Sequence, residues 1–226
     1  MIDLHSHILP EMDDGSKDRE MSLRMLEMLK AQGVTAVMAT PHFYAANDDP
    51  EEFFSRREAA AAQLGKTPIP VYLGAEVAYF DGMGHSDVLK QLCLGESRLL
   101  LVEMPYASWS PRMIREVCDL PGQLGVIPVL AHVDRYRAQF IKYIEEFISQ
   151  GVLFQCNADA FLDWRSRNWA LNLLNQGGLH FLGSDCHNLT TRLPNMGNAA
   201  KVIEKKLGGE ILADLTAFTA EMLIKN

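Results

Sequence analysis

An alternation constrains this chain more than any single motif. Seven short runs rich in β-branched and apolar residues, at 2–4, 35–39, 71–75, 99–102, 127–131, 152–156 and 180–183, are each followed by a helical pattern. Several are apolar at every position, Leu99 through Val102 for example. That pattern suits parallel strands covered by helices, whereas a sheet wet on one face alternates polar and apolar residues.

Local signals place the helices between them. Asp49, Pro50 and Glu52 supply an N-cap, a proline at the first helical position and an N3 carboxylate, so a helix is predicted to open there and stop near Gly65. Ser110-Pro111 repeats the device. Ser16 is expected to open a helix that turns Met21, Met25, Met28 and Leu29 to the core and ends before Gly33. Two more helices, at about 195–207 and 210–224, close the chain. No linker, repeat or low-complexity tract divides it, so residues 1–226 are expected to form one domain. With 48% hydrophobic residues, that domain can bury a large core without disulfide staples. Seven strand-helix units predict an α/β fold, a distorted seven-stranded β/α barrel of the TIM-like kind, with an open doubly wound sheet as the alternative.

The placement of histidines and acids separates the two. His5 and His7 follow the first strand, His42 the second, and Glu76, Glu103 and His132 end the third, fourth and fifth; Asp185 and His187 follow the seventh. In a barrel the carboxyl ends of all strands converge on one mouth, so residues scattered over the chain become neighbours. In an open sheet the outer ones would be too far apart. The distribution therefore favours a barrel and a multi-metal site together.

Each element alone has a plainer reading. One H-x-H is expected by chance about 0.2 times in a chain with this histidine content. Asp13-Asp14-Gly15 reads first as a turn, although Asp14 could also supply a hard oxygen ligand. A carboxylate ending an apolar strand, as Glu76 and Glu103 do, must be paired, metal-bound or solvated. His85, expected at the start of a helix, and His180, at the start of a strand, read as structural or exposed. Nitrogen and oxygen ligands without cysteine fit manganese, iron or zinc.

Arg135 and Arg192 follow His132 and His187 and suit fork-like recognition of phosphate oxygens, or else salt bridges to loop acids such as Asp134. A competing signature lies in the same segment: Cys186 and Arg192 form C-x5-R, the spacing of cysteine-dependent phosphatases. Its loop has no glycine, and a cysteine between two metal-directed side chains should point into packing. The four cysteines are far apart and form no CxxC pair, as in a reducing compartment. The net charge of -8 gives no footprint for nucleic acid. No leader or long apolar run is evident, so a cytoplasmic protein without membrane insertion is expected.

Taken as an ordered set, MIDLHSH, DDGS, ATPH, GAEV, LVEMP, PVLAHVDRY, FQCNA and SDCHNLTTR resemble the polymerase and histidinol phosphatase (PHP) superfamily. Within it they are most similar to the metal-dependent protein-tyrosine phosphatases of bacterial capsule and exopolysaccharide loci. The resemblance runs from residue 2 to about residue 200. It implies a PHP-type barrel holding three metal ions, often manganese, and hydrolysis of phosphotyrosine on the tail of a partner tyrosine autokinase. The ligand role then passes to His5, His7, Asp14, His42, Glu76, Glu103, His132, Asp185 and His187, and phosphate binding to Arg135 and Arg192. Two features depart from the pattern: Asp134 stands where glutamate is common, and the last helix lacks an expected Asn-Pro.

A PHP phosphoesterase acting on a small molecule such as histidinol phosphate is the alternative. A barrel that has lost catalysis and serves as an interaction module is a third reading, against which the complete ligand set argues. Phe43, Tyr44, Tyr106 and Trp109 either pack the mouth loops or line the entrance, where they would favour an aromatic ester.

Overall fold

All seven predicted runs become strands, and the second and third continue past a break. The computed structural model describes residues 1–225. In it β1 (Ile2–Ser6) is followed by β2 (Ala36–Ala39) and, beyond Thr40-Pro41, by β3 (His42–Phe43). Likewise β4 (Val71–Leu73) is followed, beyond Gly74-Ala75, by β5 (Glu76–Ala78). Then come β6 (Leu99–Glu103), β7 (Ile127–Leu130), β8 (Leu153–Asn157) and β9 (Phe181–Gly183). The described residues thus hold nine short strands rather than seven. Pro41 has no N–H to give a ladder, and the neighbouring strand breaks in step: Gly74 N–H donates to Ala39 O, and Glu76 N–H to Pro41 O.

All strand pairs are parallel, in the orders β1-β2-β4 and β3-β5-β6-β7-β8-β9. The ends of the curled sheet meet. Ser6 bridges Cys186, Asp185 N–H donates to His5 O at 2.8 Å, and His7 N–H donates to Cys186 O at 2.9 Å. Ser184 N–H adds a 2.7 Å bond to the buried Asp3 carboxylate.

Helices α1 (Arg19–Ala31), α2 (Pro50–Leu64), α3 (Pro111–Cys118), α4 (Leu120–Leu124), α5 (Arg137–Ser149), α6 (Arg167–Asn175) and α7 (Met196–Leu207) precede the final α8 (Gly209–Lys225). Asp49 and Ser110 cap α2 and α3 as expected. The cap of α1 is Asp18, whose side chain accepts from Met21 N–H, not Ser16. Ser16 Oγ instead lies 2.8 Å from Ser22 Oγ and donates to Asp18 O. Between β5 and β6 two short 3-10 turns replace the helix expected at His85, which is exposed.

Side-chain alternation along the strands divides the apolar residues into two clusters. Leu99, Leu101, Val129 and Phe181 belong to a small one, which Phe218 and Met222 of α8 join. Leu100, Val102, Leu130 and Leu182 belong to the large one, shared with Met25, Leu29 and Phe140 of the helices. The small cluster fills the barrel interior. Ile127 and Leu153, at the starts of their strands, also pack against it, so α8 covers the amino end and leaves the carboxyl end as the mouth.

Candidate metal centre

The barrel brings the nine sequence-predicted ligand candidates together at that mouth. Nε2 of His5 and Nε2 of His7 face each other 3.1 Å apart. Glu76 Oε2 is 3.2 and 3.3 Å from them, and Asp185 Oδ1 is 3.6 and 3.4 Å away. Atoms that bind one ion at ~2.1 Å in a tetrahedral arrangement are separated by ~3.4 Å. The atoms of His5, His7 and Glu76 therefore already have the spacing of part of a coordination shell, and Asp185 stands beside both rings.

Two more groups adjoin this one. Asp14 Oδ1 lies 3.3 Å from His187 Nε2 and 3.5 Å from His42 Nε2. On the other side His42 Nδ1 is 2.9 Å from Glu76 Oε2 and 4.0 Å from Glu103 Oε2, while His132 Nε2 is 2.8 Å from Glu76 Oε1 and 3.5 Å from Glu103 Oε1. Glu76 thus joins the groups. Its Oε2, with His42 Nδ1 and His187 Nε2, is buried without a hydrogen-bond partner in the protein. Orphaned acceptors aimed at one another are costly unless a cation or protons lie between them. The donor set and its orphans therefore fit divalent metal ions.

The clustered acids and imidazoles shift one another's titration. Burial would lower the His7 pKa, but Asp13, Asp185 and Glu76 raise it well above the ordinary imidazole value. Burial is likewise outweighed at His132, which Glu103 and Glu76 raise to about 9. Glu76 and Asp185 are held well below the usual carboxylate range; burial opposes this, and the histidines, with Arg135 for Asp185, prevail. His187 goes the other way, to about 4, through burial and then repulsion by His7.

The backbone is bent to make this arrangement. His132 and Asp185 are two of three non-glycine residues with positive φ among the described residues, at 32° and 51°. Such conformations persist where surrounding contacts over-determine them. Gln155 Oε1 accepts from His132 N–H at 2.6 Å and also lies 3.3 Å from His5 Nδ1. Asn157 Nδ2 donates to Asp185 Oδ2 at 2.9 Å. Gly183 leaves the room needed, since a Cβ there would fall 2.5 Å from that of His5 and 2.7 Å from Gln155 Nε2.

The whole chain bears comparison with known proteins. Residues 1–225 match the family model described as "Capsular polysaccharide synthesis, CpsB/CapC". This chain belongs to the CpsB/CapC family. It is 30% identical over 237 residues to the tyrosine-protein phosphatase YwqE of Bacillus subtilis (strain 168), spanning 100% of this chain and 92% of that protein. Identity to the tyrosine-protein phosphatase CpsB of Streptococcus pneumoniae is also 30%, over 95% of this chain and 94% of that one. Among solved structures, one from a study of YwqE and pneumococcal CpsB, described there as metal-dependent tyrosine phosphatases, superposes with a TM-score of 0.86 at 28% identity, covering 99% of this chain and 94% of the other. A histidinol phosphate phosphatase of Lactococcus lactis reaches 0.56 at 15% identity and shares the fold.

In this CpsB/CapC chain both arginines grip Asp185, one on each oxygen. Arg192 Nη2 donates to Oδ1 at 2.7 Å, and Arg135 Nη2 donates to Oδ2. Arg135 is therefore not paired with its neighbour Asp134, whose carboxylate accepts from Asn157 N–H at 2.9 Å. Cys186 is fully buried, and burial followed by the nearby Asp3 pushes its thiol well above the ordinary value, so C-x5-R has no nucleophile to offer. His180 is structural: its Nδ1 accepts from Phe154 N–H, and burial lowers its pKa to about 4.

Of the four mouth aromatics, Phe43 and Trp109 are packing, Phe43 edge-on to Phe53 at 5.1 Å and Trp109 donating to Pro105 O. Tyr44, 41% exposed, and Tyr106, 73% exposed, do stand at the entrance. With Tyr79, Glu103 and Met104 they line a groove of about 320 Å³. Sequence reasoning missed Asp13, whose Oδ2 is 2.6 Å from His7 Nδ1 and accepts from His42 N–H, and it gave no role to Gln155 or Asn157. The usable signal for those two was polar residues at alternate positions of an otherwise apolar strand.

Proposed function

We propose that this CpsB/CapC protein is a metal-dependent phosphoric monoester hydrolase acting on phosphotyrosine, and that its physiological substrate is the tyrosine-bearing tail of a bacterial tyrosine autokinase in capsule or exopolysaccharide synthesis. Residues 1–226 act as one catalytic domain in the cytoplasm. No described helix is long and apolar enough to cross a membrane. The observation that carries the reading is the convergence of His5, His7 and Glu76, with Asp185 beside them, next to a groove walled by tyrosines.

His5, His7, Asp14, His42, Glu76, Glu103, His132, Asp185 and His187 would hold three ions, manganese first among the candidates and iron or zinc next. When bound, such ions supply an activated water and neutralise phosphoryl charge. Asp13 and Gln155 orient the rings of His7 and His5 so that the Nε2 atoms face the site. Arg135 and Arg192 each use one nitrogen on Asp185 and have other N–H donors for phosphoryl oxygens, where charge grows along the reaction. Tyr44 and Tyr106 flank the ring of the ester. The departing phenolate, with a pKa near ~10, needs little protonation.

Steady-state assay of a phosphotyrosine peptide beside a phosphoserine peptide and histidinol phosphate tests the reading. The expected result is a higher kcat/KM for the phosphotyrosine peptide. Equal or reversed preference removes the tyrosine-phosphatase assignment and returns the small-molecule alternative.

A further inference from the structure

The two sides of the mouth carry opposite charge. On the side of β3, residues 44–52 include Asp48, Asp49, Glu51 and Glu52 and no basic residue; Arg56, which lines the same cleft, donates to Met12 O and stands against these four acids and Asp14. On the side of β7 and β8, residues 133–137 and 158–167 hold Arg135, Arg137, Arg165 and Arg167 against Asp134, Asp159 and Asp163. All three acids accept hydrogen bonds from neutral donors, Asp134 from Asn157 N–H, Asp159 from Asn195 Nδ2 and Asp163 Oδ1 from Arg165 N–H, so they keep their charge but are turned towards the protein, and four arginines against three acids leave this side net positive. Arg135 holds Asp185, and Arg167 donates to the carbonyls of Phe161 and Leu162.

Arg137 and Arg165 differ from these. Arg137 Nη1 donates to Arg165 O at 2.9 Å, which ties the two loops together, and neither guanidinium has a carboxylate within salt-bridge range among the described residues. The Arg165 guanidinium is exposed and stands 5.2 Å from the ring centre of Trp164, which is 76% exposed. Arg137 is two residues from Arg135, at most ~7 Å along the backbone. Two guanidinium groups without a carboxylate partner and an open indole therefore lie on the segments that follow β7 and β8, next in the chain to Arg135.

We propose that these groups form a second subsite, in which Arg137 and Arg165 bind carboxylate side chains flanking the phosphotyrosine of the substrate peptide. The inference rests on the function proposed above. Guanidinium forks match carboxylates, and Trp164 offers a flat apolar surface to the peptide between them. The acidic side around β3 repels the same flanks, so charge also sets the direction in which a peptide lies across the mouth.

The test compares a phosphotyrosine peptide having Asp or Glu at the flanking positions with its Asn or Gln counterpart, and uses 4-nitrophenyl phosphate as an ester too small to reach the subsite. The wild-type protein is expected to favour the acidic peptide about five- to tenfold in kcat/KM, as two exposed charge pairs allow. Arg165→Gln should remove most of that preference, and Arg137→Ala with Arg165→Gln all of it, with 4-nitrophenyl phosphate turnover unchanged. Arg165→Gln decides the matter if the double variant does not fold, because the Arg165 guanidinium makes no hydrogen bond within the described residues. Equal kcat/KM for the two peptides in the wild type, or a preference that survives Arg165→Gln undiminished, overturns the subsite. Failure of the underlying function would show separately, as absence of turnover of both peptides in the wild-type protein.

Discussion

Between β6 and β7 four successive residue pairs, from Leu99 with Ile127 to Val102 with Leu130, form an unbroken parallel ladder. Between β9 and β1 a single bridge joins Ser6 to Cys186, and the rest of the seam is Asp3, Ser184 and the backbones of His5, His7 and Asp185. The first wall is apolar on both faces and buries every side chain from Leu99 to Val102 completely. The second gives up ladder regularity, and Asp185 takes a positive φ there, which a continuous strand forbids. The difference teaches where stability and chemistry reside: the ladder holds the barrel, and the irregular seam presents its polar atoms to the mouth.

The widest separation between the two should come from metal removal. Chelation is expected to abolish phosphate-ester turnover, with manganese restoring it, and to lower the thermal transition, since ligands at 100 times their Kd add about 2.7 kcal/mol to the folded state. Activity that survives metal analysis at zero stoichiometry would remove the metal reading. The opposite lesion is Leu101→Ala in the ladder. It should cost about 2–5 kcal/mol in chemical denaturation, through lost burial and a residual cavity, while metal stoichiometry stays unchanged.

Arg135→Ala and Arg192→Ala act at the seam without opening the wall. Each should lower kcat/KM by about 2–4 kcal/mol in barrier, or roughly 30- to 1000-fold, with metal content retained. Unchanged kinetics in both would make them salt-bridge partners of Asp185 and nothing more.

A smaller effect concerns pH. In the metal-free protein His132 is raised from 6.5 to about 9, so the stability it contributes is full below pH ~6.5 and is lost as pH rises through about 9. His187, lowered to about 4, costs stability as pH falls below ~6.5. Melting temperatures with chelator should therefore decline from neutral to alkaline pH; with metal, whose ligands are deprotonated, that decline should be absent. The smallest effect is expected from Cys186→Ser, which should keep most activity; a folded, metal-loaded but inactive variant would return the thiol to the mechanism.

Much of this was legible in the chain. Parallel strands buried on both faces must be apolar throughout, so the ladder strands stood out, and Asp49 and Ser110 declared their helices through side-chain oxygens and prolines. Eight of the nine candidates were visible because each lies in or just after one of the predicted apolar runs, and barrel geometry supplies the convergence; Asp14 was visible only as an acid in the turn beyond the first run. Other features were hidden for physical reasons. Asp13 and Asp14 are adjacent acids in one turn, and nothing local tells that Asp13 turns in to His7 while Asp14 stays 66% exposed. Gln155 and Asn157 are neutral amides without the charge that draws attention. Asp185, not Asp134, is the partner of Arg135 because the pairing is made in space, 50 residues away.

The seam has a consequence in time as well as in space. Asp3 and Ser184, which it joins, are 181 positions apart. A polypeptide growing from its amino end releases His5 and His7 early, yet their counterparts Asp185 and His187 leave the ribosome only after most of the barrel has been made. Such distant contacts form late, after the loop-closure cost of the intervening chain has been met. Until then the histidine pair lacks half of its partners, and a nascent chain carries only part of the candidate metal centre.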